Sequence, residues 1–190
     1  QQAFGYQPHA VLGLSCEGEQ LRTAGIASIN LVMQAEALLA AQYLEKRYGT
    51  PYLYGAPYGY TGTMKWLEQI GKALSLPISP QLTAKLQKRR MQSAGYKMYA
   101  AMYAQKKNKP NAVLIGSYDQ IVGFSAVMDE ISLPVSLKIC SHSLAEIRSS
   151  GLETDGILSP ADEKEKIALL KRVKHSLVLG DDISLYLCAD

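Results

Sequence analysis

Short apolar stretches rich in β-branched residues, each followed by turn residues and then a segment with helical spacing, recur along this chain. Alternation of this kind is the pattern of a parallel sheet, whose strands need helical crossovers to re-enter in the same direction. In the first half, residues 9–15 predict a strand, 17–24 a short helix, 27–33 a second strand, 35–48 an Ala/Leu-rich helix stopped by Gly49, 51–56 a third strand and 62–74 the next helix. After Pro110 the rhythm restarts, with strands predicted at 111–116, 135–140, 156–159 and 176–180. Helices are predicted at 119–131, at 144–149 and at 160–174, the last N-capped by Ser159. The tail at 182–190 alternates like a strand but opens on acids that suit a helix cap, so periodicity leaves both readings open.

Between the halves, Ser79-Pro80 reads as an N-cap with proline at the first helical position. The helix that it opens can run to about residue 107, roughly 29 residues against a usual ~11–12. That is too long for one face of a small sheet and predicts a bridge between sub-domains, with Gly95 a place to bend. Met91, Met98 and Met102 fall at helical spacing along it and are expected to pack in a core. The expected class is α/β, with two partial Rossmann-like parallel-sheet lobes at 1–76 and 110–190 joined by a basic bridging helix at 77–109. In open parallel sheets ligands bind at the carboxyl ends of strands. The loops to examine therefore follow the strands: residues 16–18, Gln34, 57–60, 117–120, 141–143 and 180–182.

The charge of this chain is distributed unevenly. No acid occurs between Glu68 and Asp119, a window that holds Lys72, Lys85, Lys88, Arg89, Arg90, Lys97, Lys106, Lys107 and Lys109, although the whole chain is only +3. A basic segment thus sits on an acidic body. Its bases are expected to meet acids such as Asp162, Glu163 and Glu165. No recognition motif or pattern of stacking aromatics accompanies them, and no nucleic acid is expected as partner.

At 190 residues, 47% hydrophobic and 19% charged, the chain has ample material for a core, and no apolar run reaches the ~20 residues of a bilayer span. No membrane association is expected. The first residues lack a Met, a basic region and an apolar region, so no signal peptide is visible and the chain is expected to be a piece of a longer cytoplasmic protein. Three cysteines without a Cys-x-x-Cys pair suit a reducing compartment and spell no zinc site.

The loops lack the Gly-x-Gly-x-x-Gly and Walker A cradles, which argues against a dinucleotide or nucleoside triphosphate site. The tight grouping Cys140, Ser141, His142 and Ser143 at a strand end lacks the nucleophile elbow of a hydrolase. Cys16, Cys140 and His142 are the candidate metal ligands, since soft thiolates and imidazole suit iron or copper, but their spacing carries no signature. Buried cysteines commonly pack as small hydrophobes. No catalytic residue is assigned.

The run Ala27-Ser28-Ile29-Asn30-Leu31-Val32-Met33, an Ala-rich helix ending Leu44-Glu45-Lys46-Arg47-Tyr48-Gly49-Thr50-Pro51-Tyr52, and then Pro57-Tyr58-Gly59 resemble the nitrogenase component 1 family. That family includes nitrogenase molybdenum-iron protein subunits, their cofactor-assembly homologues and dark-operative protochlorophyllide reductase subunits. Val113-Leu114-Ile115-Gly116-Ser117 is similar to the strand and Gly-Gly loop that open its next lobe, and residues 173–180 to a later strand, which favours helix for 181–190. The resemblance covers nearly the whole chain, as the middle and later part of a family member. It departs at two positions. Gln34 stands where the nitrogenase catalytic subunit has a cofactor-ligating Cys, and Asp119 where it has a cofactor-contacting Arg.

The resemblance implies an oxidoreductase subunit that takes low-potential electrons from a separate ATP-dependent iron-sulfur reductase and reduces a cleft-bound substrate. It implies a homologous second subunit as partner, in a heterodimer or heterotetramer, and an iron-sulfur cluster whose ligands lie outside these residues. No cofactor is expected within the chain, which alone is expected to be inactive. Residues expected on cleft-facing loops are Gln34, Tyr58, Gly59, Tyr60, Gly116, Ser117, Tyr118, Asp119, Ser141 and His142. The alternatives are a non-catalytic metal- or tetrapyrrole-binding module, as in receptor proteins with chelatase-like lobes, or a cofactor-assembly scaffold.

Overall fold

The computed structural model describes residues 7–12, 16–104, 111–173 and 177–180, with the side chains of 93–104 set apart. The chain order is α1 (Gly18–Arg22), β1 (Asn30–Val32), α2 (Leu38–Tyr48), β2 (Tyr52–Tyr54), α3 (Gly59–Ala73), α4 (Pro80–Ala104), β3 (Ala112–Gly116), α5 (Tyr118–Glu130), β4 (Val135–Cys140), α6 (Ala145–Ser149), α7 (Glu163–Arg172) and β5 (Leu177–Leu179). Three-residue 3-10 turns at Ala24–Ile26 and Ala35–Ala37 flank β1.

Among the described residues the strands form two sheets, β1-β2 and β4-β3-β5, and every pairing is parallel. Asn30 faces Tyr52 across the first sheet, and Ala112 faces both Val135 and Leu177 across the second. The strand-helix rhythm of the sequence therefore folds as a parallel α/β protein. β3, the central strand, buries all five of its residues, as expected for an apolar run covered on both faces. On one face Val113, Ile115 and Ile139 pack with Leu170 of α7. On the other, Leu114, Tyr118, Ile121 and Cys140 pack with Leu144, Ile147 and Ile157, and with Ala35 and Tyr54 from the first sheet's connections. That second cluster makes the two sheets parts of one packed body.

Several expectations are corrected. Of the strand expected at 9–15, residues 9–12 are irregular chain and 13–15 lie outside the described residues. The strand expected at 156–159 shrinks to one bridge, Ile139 to Leu158, because only Leu158 exchanges backbone hydrogen bonds with β4. The helix expected from 160 starts at Glu163, with Asp162 rather than Ser159 at its N-cap: the Asp162 carboxylate accepts from the Glu165 N–H at 2.9 Å, while the Ser159 hydroxyl donates to the His142 carbonyl. The tail from 181 lies outside the described residues.

Helix α4 is continuous through Gly95. None of its described side chains, 80–92, is buried, and Met91 is 77% exposed, so the Met91 reading as core is wrong. Among the described residues, the acids expected to meet its bases serve α7. Glu163 pairs with Lys166, Glu165 accepts from the Ala161 N–H, and Asp162 caps the helix. Among the described residues the Arg90 guanidinium lies 4.8 Å from the Tyr60 ring centre, a cation–π contact.

Candidate ligand cleft at the strand ends

The carboxyl ends of β1, β2, β3 and β4 converge, and the loops that leave them touch. The contact is built on Ser117. Its hydroxyl accepts from the Gln120 N–H while the Gln120 side chain accepts from the Ser117 N–H, a capping box that starts α5 directly after β3. This fixes Tyr118 and Asp119 in the first turn, both buried. The Asp119 carboxylate then reaches the first sheet's connections. One oxygen accepts from the Ala35 N–H at 2.8 Å and the other from the Tyr54 hydroxyl at 2.6 Å. Sequence spacing places Asp119 on a cleft-facing loop; the structure turns its carboxylate onto the chain's own amide and phenol.

Three tyrosines surround this carboxylate. Burial, and then the hydrogen bond to Asp119, push the Tyr54 hydroxyl far above its ordinary pKa. Burial and the Asp119 charge also raise Tyr58 and Tyr118. All three are held protonated, and the Tyr118 hydroxyl donates to the Glu153 carbonyl at 2.8 Å. Beside them Cys140 is 2% exposed at the end of β4, its thiol pKa pushed up chiefly by burial. A thiol held neutral in an apolar cluster is a poor metal ligand.

Three of the remaining expected residues form an exposed rim. Gln34 is exposed between β1 and Ala35, and Ser141 and His142 are exposed after β4. His142 Nε2 lies 3.9 Å from Glu36 Oε1, joining the loops after β1 and β4. Gly116, at the end of β3, is buried. Cys16 is half-buried, with its sulfur 3.6 Å from the Glu17 carbonyl. Among the described residues no three His, Cys, Asp or Glu side chains gather as a metal-holding group.

Tyr58, Gly59 and Tyr60 sit where α3 begins. Tyr58 packs edge-on against Phe124 of α5, with ring centres 5.3 Å apart. It lies so close to α5 that a Cβ on Gly123 would stand 2.3 Å from its ring. Gly59 has φ +62°, a conformation that glycine adopts freely. Glu130, in the last turn of α5, accepts from the Thr61 N–H at 2.8 Å and the Tyr60 N–H at 3.3 Å, two of the orphan donors that every helix N-terminus leaves. Glu130, Tyr54 and Glu36 are absent from the sequence-derived site. Tyr54 is visible there only as one of a run of tyrosines, and the partners of Glu130 and Glu36 lie 70 and 106 residues away, beyond any local signal.

The family model of the nitrogenase component 1 type oxidoreductases matches residues 2–190. The fold is similar to the solved structure of nitrogenase Cp1 at pH 6.5, with a TM-score of 0.67 at 17% identity, covering 95% of this chain and 41% of that one. At that identity the likeness is one of fold, and the chain spans well under half of that protein's length. No curated protein matches. Among the described residues no helix is long and apolar enough to cross a membrane. With parallel sheets whose strand ends meet at Asp119 and a family match from residue 2 to the last, the chain belongs to the nitrogenase component 1 type oxidoreductase family.

Proposed function

We propose that this chain forms the ligand-cleft portion of a nitrogenase-like oxidoreductase subunit. The complete protein takes low-potential electrons from an ATP-dependent iron-sulfur reductase and reduces a substrate held at the strand ends. The observation that carries this reading is the convergence of the loops after β1, β3 and β4, joined by Asp119 to Ala35 and by His142 to Glu36, in a chain of this family. The lobes divide at about 1–76 and 110–190, with 77–109 as the bridge, and the protein works in the cytoplasm beside a homologous second subunit.

Among the described residues the thiols and imidazole do not fit an iron-sulfur cluster. Cys140 is enclosed with a raised thiol pKa, Cys16 lies beside a backbone carbonyl, and His142 faces Glu36. On this reading the cluster ligands of the complete protein belong to other segments. Within this chain the rim residues Gln34, Ser141 and His142 are the groups that contact a substrate. Asp119 places negative charge beneath them, which favours a neutral or cationic organic ligand over an anionic cluster. That charge also supports a second reading, a tetrapyrrole-binding module or assembly scaffold.

The deciding experiment mixes the longer parent protein anaerobically with an ATP-dependent iron-sulfur reductase and follows the reductase's oxidation by absorbance. ATP-dependent oxidation that requires the parent is expected. No oxidation above the reductase-alone rate overturns the enzyme reading in favour of the second.

A further inference from the structure

Both ends of α5 carry a carboxylate that is spent on the opposite side of the molecule. Asp119, in the first turn, accepts from Ala35 and Tyr54, after and within the β1-β2 sheet. Glu130, in the last turn, accepts from the first amides of α3. Eleven residues at 100° each bring Glu130 back to within about 20° of Asp119, roughly 16 Å farther along the same face of the helix. Gly123 and Val127 lie between them on that face. Gly123 admits the Tyr58 ring, and the Val127 side chain approaches to 3.1 Å of where a Cβ on Gly59 would stand. One stripe of α5, with a carboxylate at each end and close packing between, thus carries the seam between the halves. The buried cluster of Ala35, Tyr118 and Cys140 lies beside its Asp119 end.

We propose that α5 is a two-point latch between the halves, that its Asp119 and Glu130 contacts open and close together as one rigid unit, and that this opening exposes the buried cluster around Cys140. A helix is stiff along its axis, and a packed seam has two arrangements rather than a continuum. Release of Glu130 therefore loosens the seam about 16 Å away at Asp119. The inference goes beyond the proposed reduction and holds equally for a binding module.

The protein carries its own reporter in Cys140, buried in that seam. In the full chain with Cys16→Ser and Cys188→Ser, the rate at which iodoacetamide labels Cys140 measures how often the seam opens. Glu130 is the cleaner end to cut, because Asp119 itself bears on the Cys140 thiol pKa while Glu130 is not among its causes. Glu130→Ala is expected to speed Cys140 labelling at least tenfold, and Glu130→Gln, which keeps an acceptor, to return most of the slowness. Hydrogen exchange should quicken together at Ala35, Tyr60 and Thr61 and stay slow at Val113 and Leu114 in β3. Combining Glu130→Ala with Tyr54→Phe, which cuts the Asp119 end without removing its charge, should add little to the faster single variant, whereas independent contacts that far apart would multiply.

Faster exchange at Tyr60 and Thr61 with Cys140 labelling unchanged would overturn the latch, because the two ends would then be separate local contacts. So would loss of β3 protection at the same rate as the seam, which would mean global unfolding rather than opening. Multiplicative effects in the double variant would likewise refute the coupling.

Discussion

Asp119 is 8% exposed, and both its oxygens are occupied by donors from the other half of the molecule. A buried carboxylate is tolerated only when its lone pairs are used, and removing one donor costs more than the bond itself contributes. Tyr54→Phe deletes the hydroxyl and little volume, so a loss of about 1–3 kcal/mol in urea unfolding is expected. A change below 0.5 kcal/mol would mean that water replaces the phenol at no cost. The same cluster sets an alkaline limit. Tyr54, Tyr58 and Tyr118 all have pKa values raised above the ordinary ~10. As pH rises through that ordinary value the unfolded chain releases these protons first and the folded chain keeps them, so stability falls. Thermal unfolding should show a flat melting temperature up to about pH 9 and a decline above ~10, shallower in Tyr54→Phe. Equal slopes in the two proteins would show that Tyr54 is not the group responsible. At this scale the sequence was partly legible: Asp119 stands out as an acid after a long acid-free window, but nothing local says that its partners are Ala35 and Tyr54.

The elements were easier to read than the contacts between them. β3 to α5 follows the sequence closely because each step is local: an apolar run, Ser117 as cap, Gln120 three residues on, then helical spacing. Ser117→Ala removes half of that capping box and should cost about 1 kcal/mol. Helix α3 was placed three residues late. Its true start at Gly59 is stabilised by Glu130, 70 residues from Tyr60 in the chain. The strand expected at 156–159 and the Ser159 cap failed for a related reason, since composition suits both residues but tertiary hydrogen bonds assign Ser159 to His142 and leave one bridge at Leu158. Gly123→Ala separates local preference from packing. Alanine favours a helix interior by up to about 1 kcal/mol over glycine, yet here its Cβ would stand 2.3 Å from the Tyr58 ring. A net loss of about 1–3 kcal/mol is expected from denaturant unfolding, and a stabilised variant would contradict the close seam.

For the whole molecule, alternation of strand and helix was enough to specify parallel sheets, because parallel strands require crossovers and the apolar runs are too short for much else. The fate of the long basic helix was not legible. Its spacing suggests a buried methionine stripe, but a side chain is buried only where something covers it, and Met91 is 77% exposed, while the side chains of Met98 and Met102 lie outside the described residues. The resemblance at residues 27–59 reached the family from a handful of positions, which the match over 2–190 bears out. Electron transfer and the location of the cluster ligands rest on the proposal, and one measurement addresses them together. Iron and acid-labile sulfide, with an EPR spectrum, should be determined on the anaerobically purified parent protein and on this 190-residue chain in parallel. Iron-sulfur clusters in the parent and none in the chain is the predicted result. Stoichiometric iron in the chain itself, or no cluster in either protein, would contradict it.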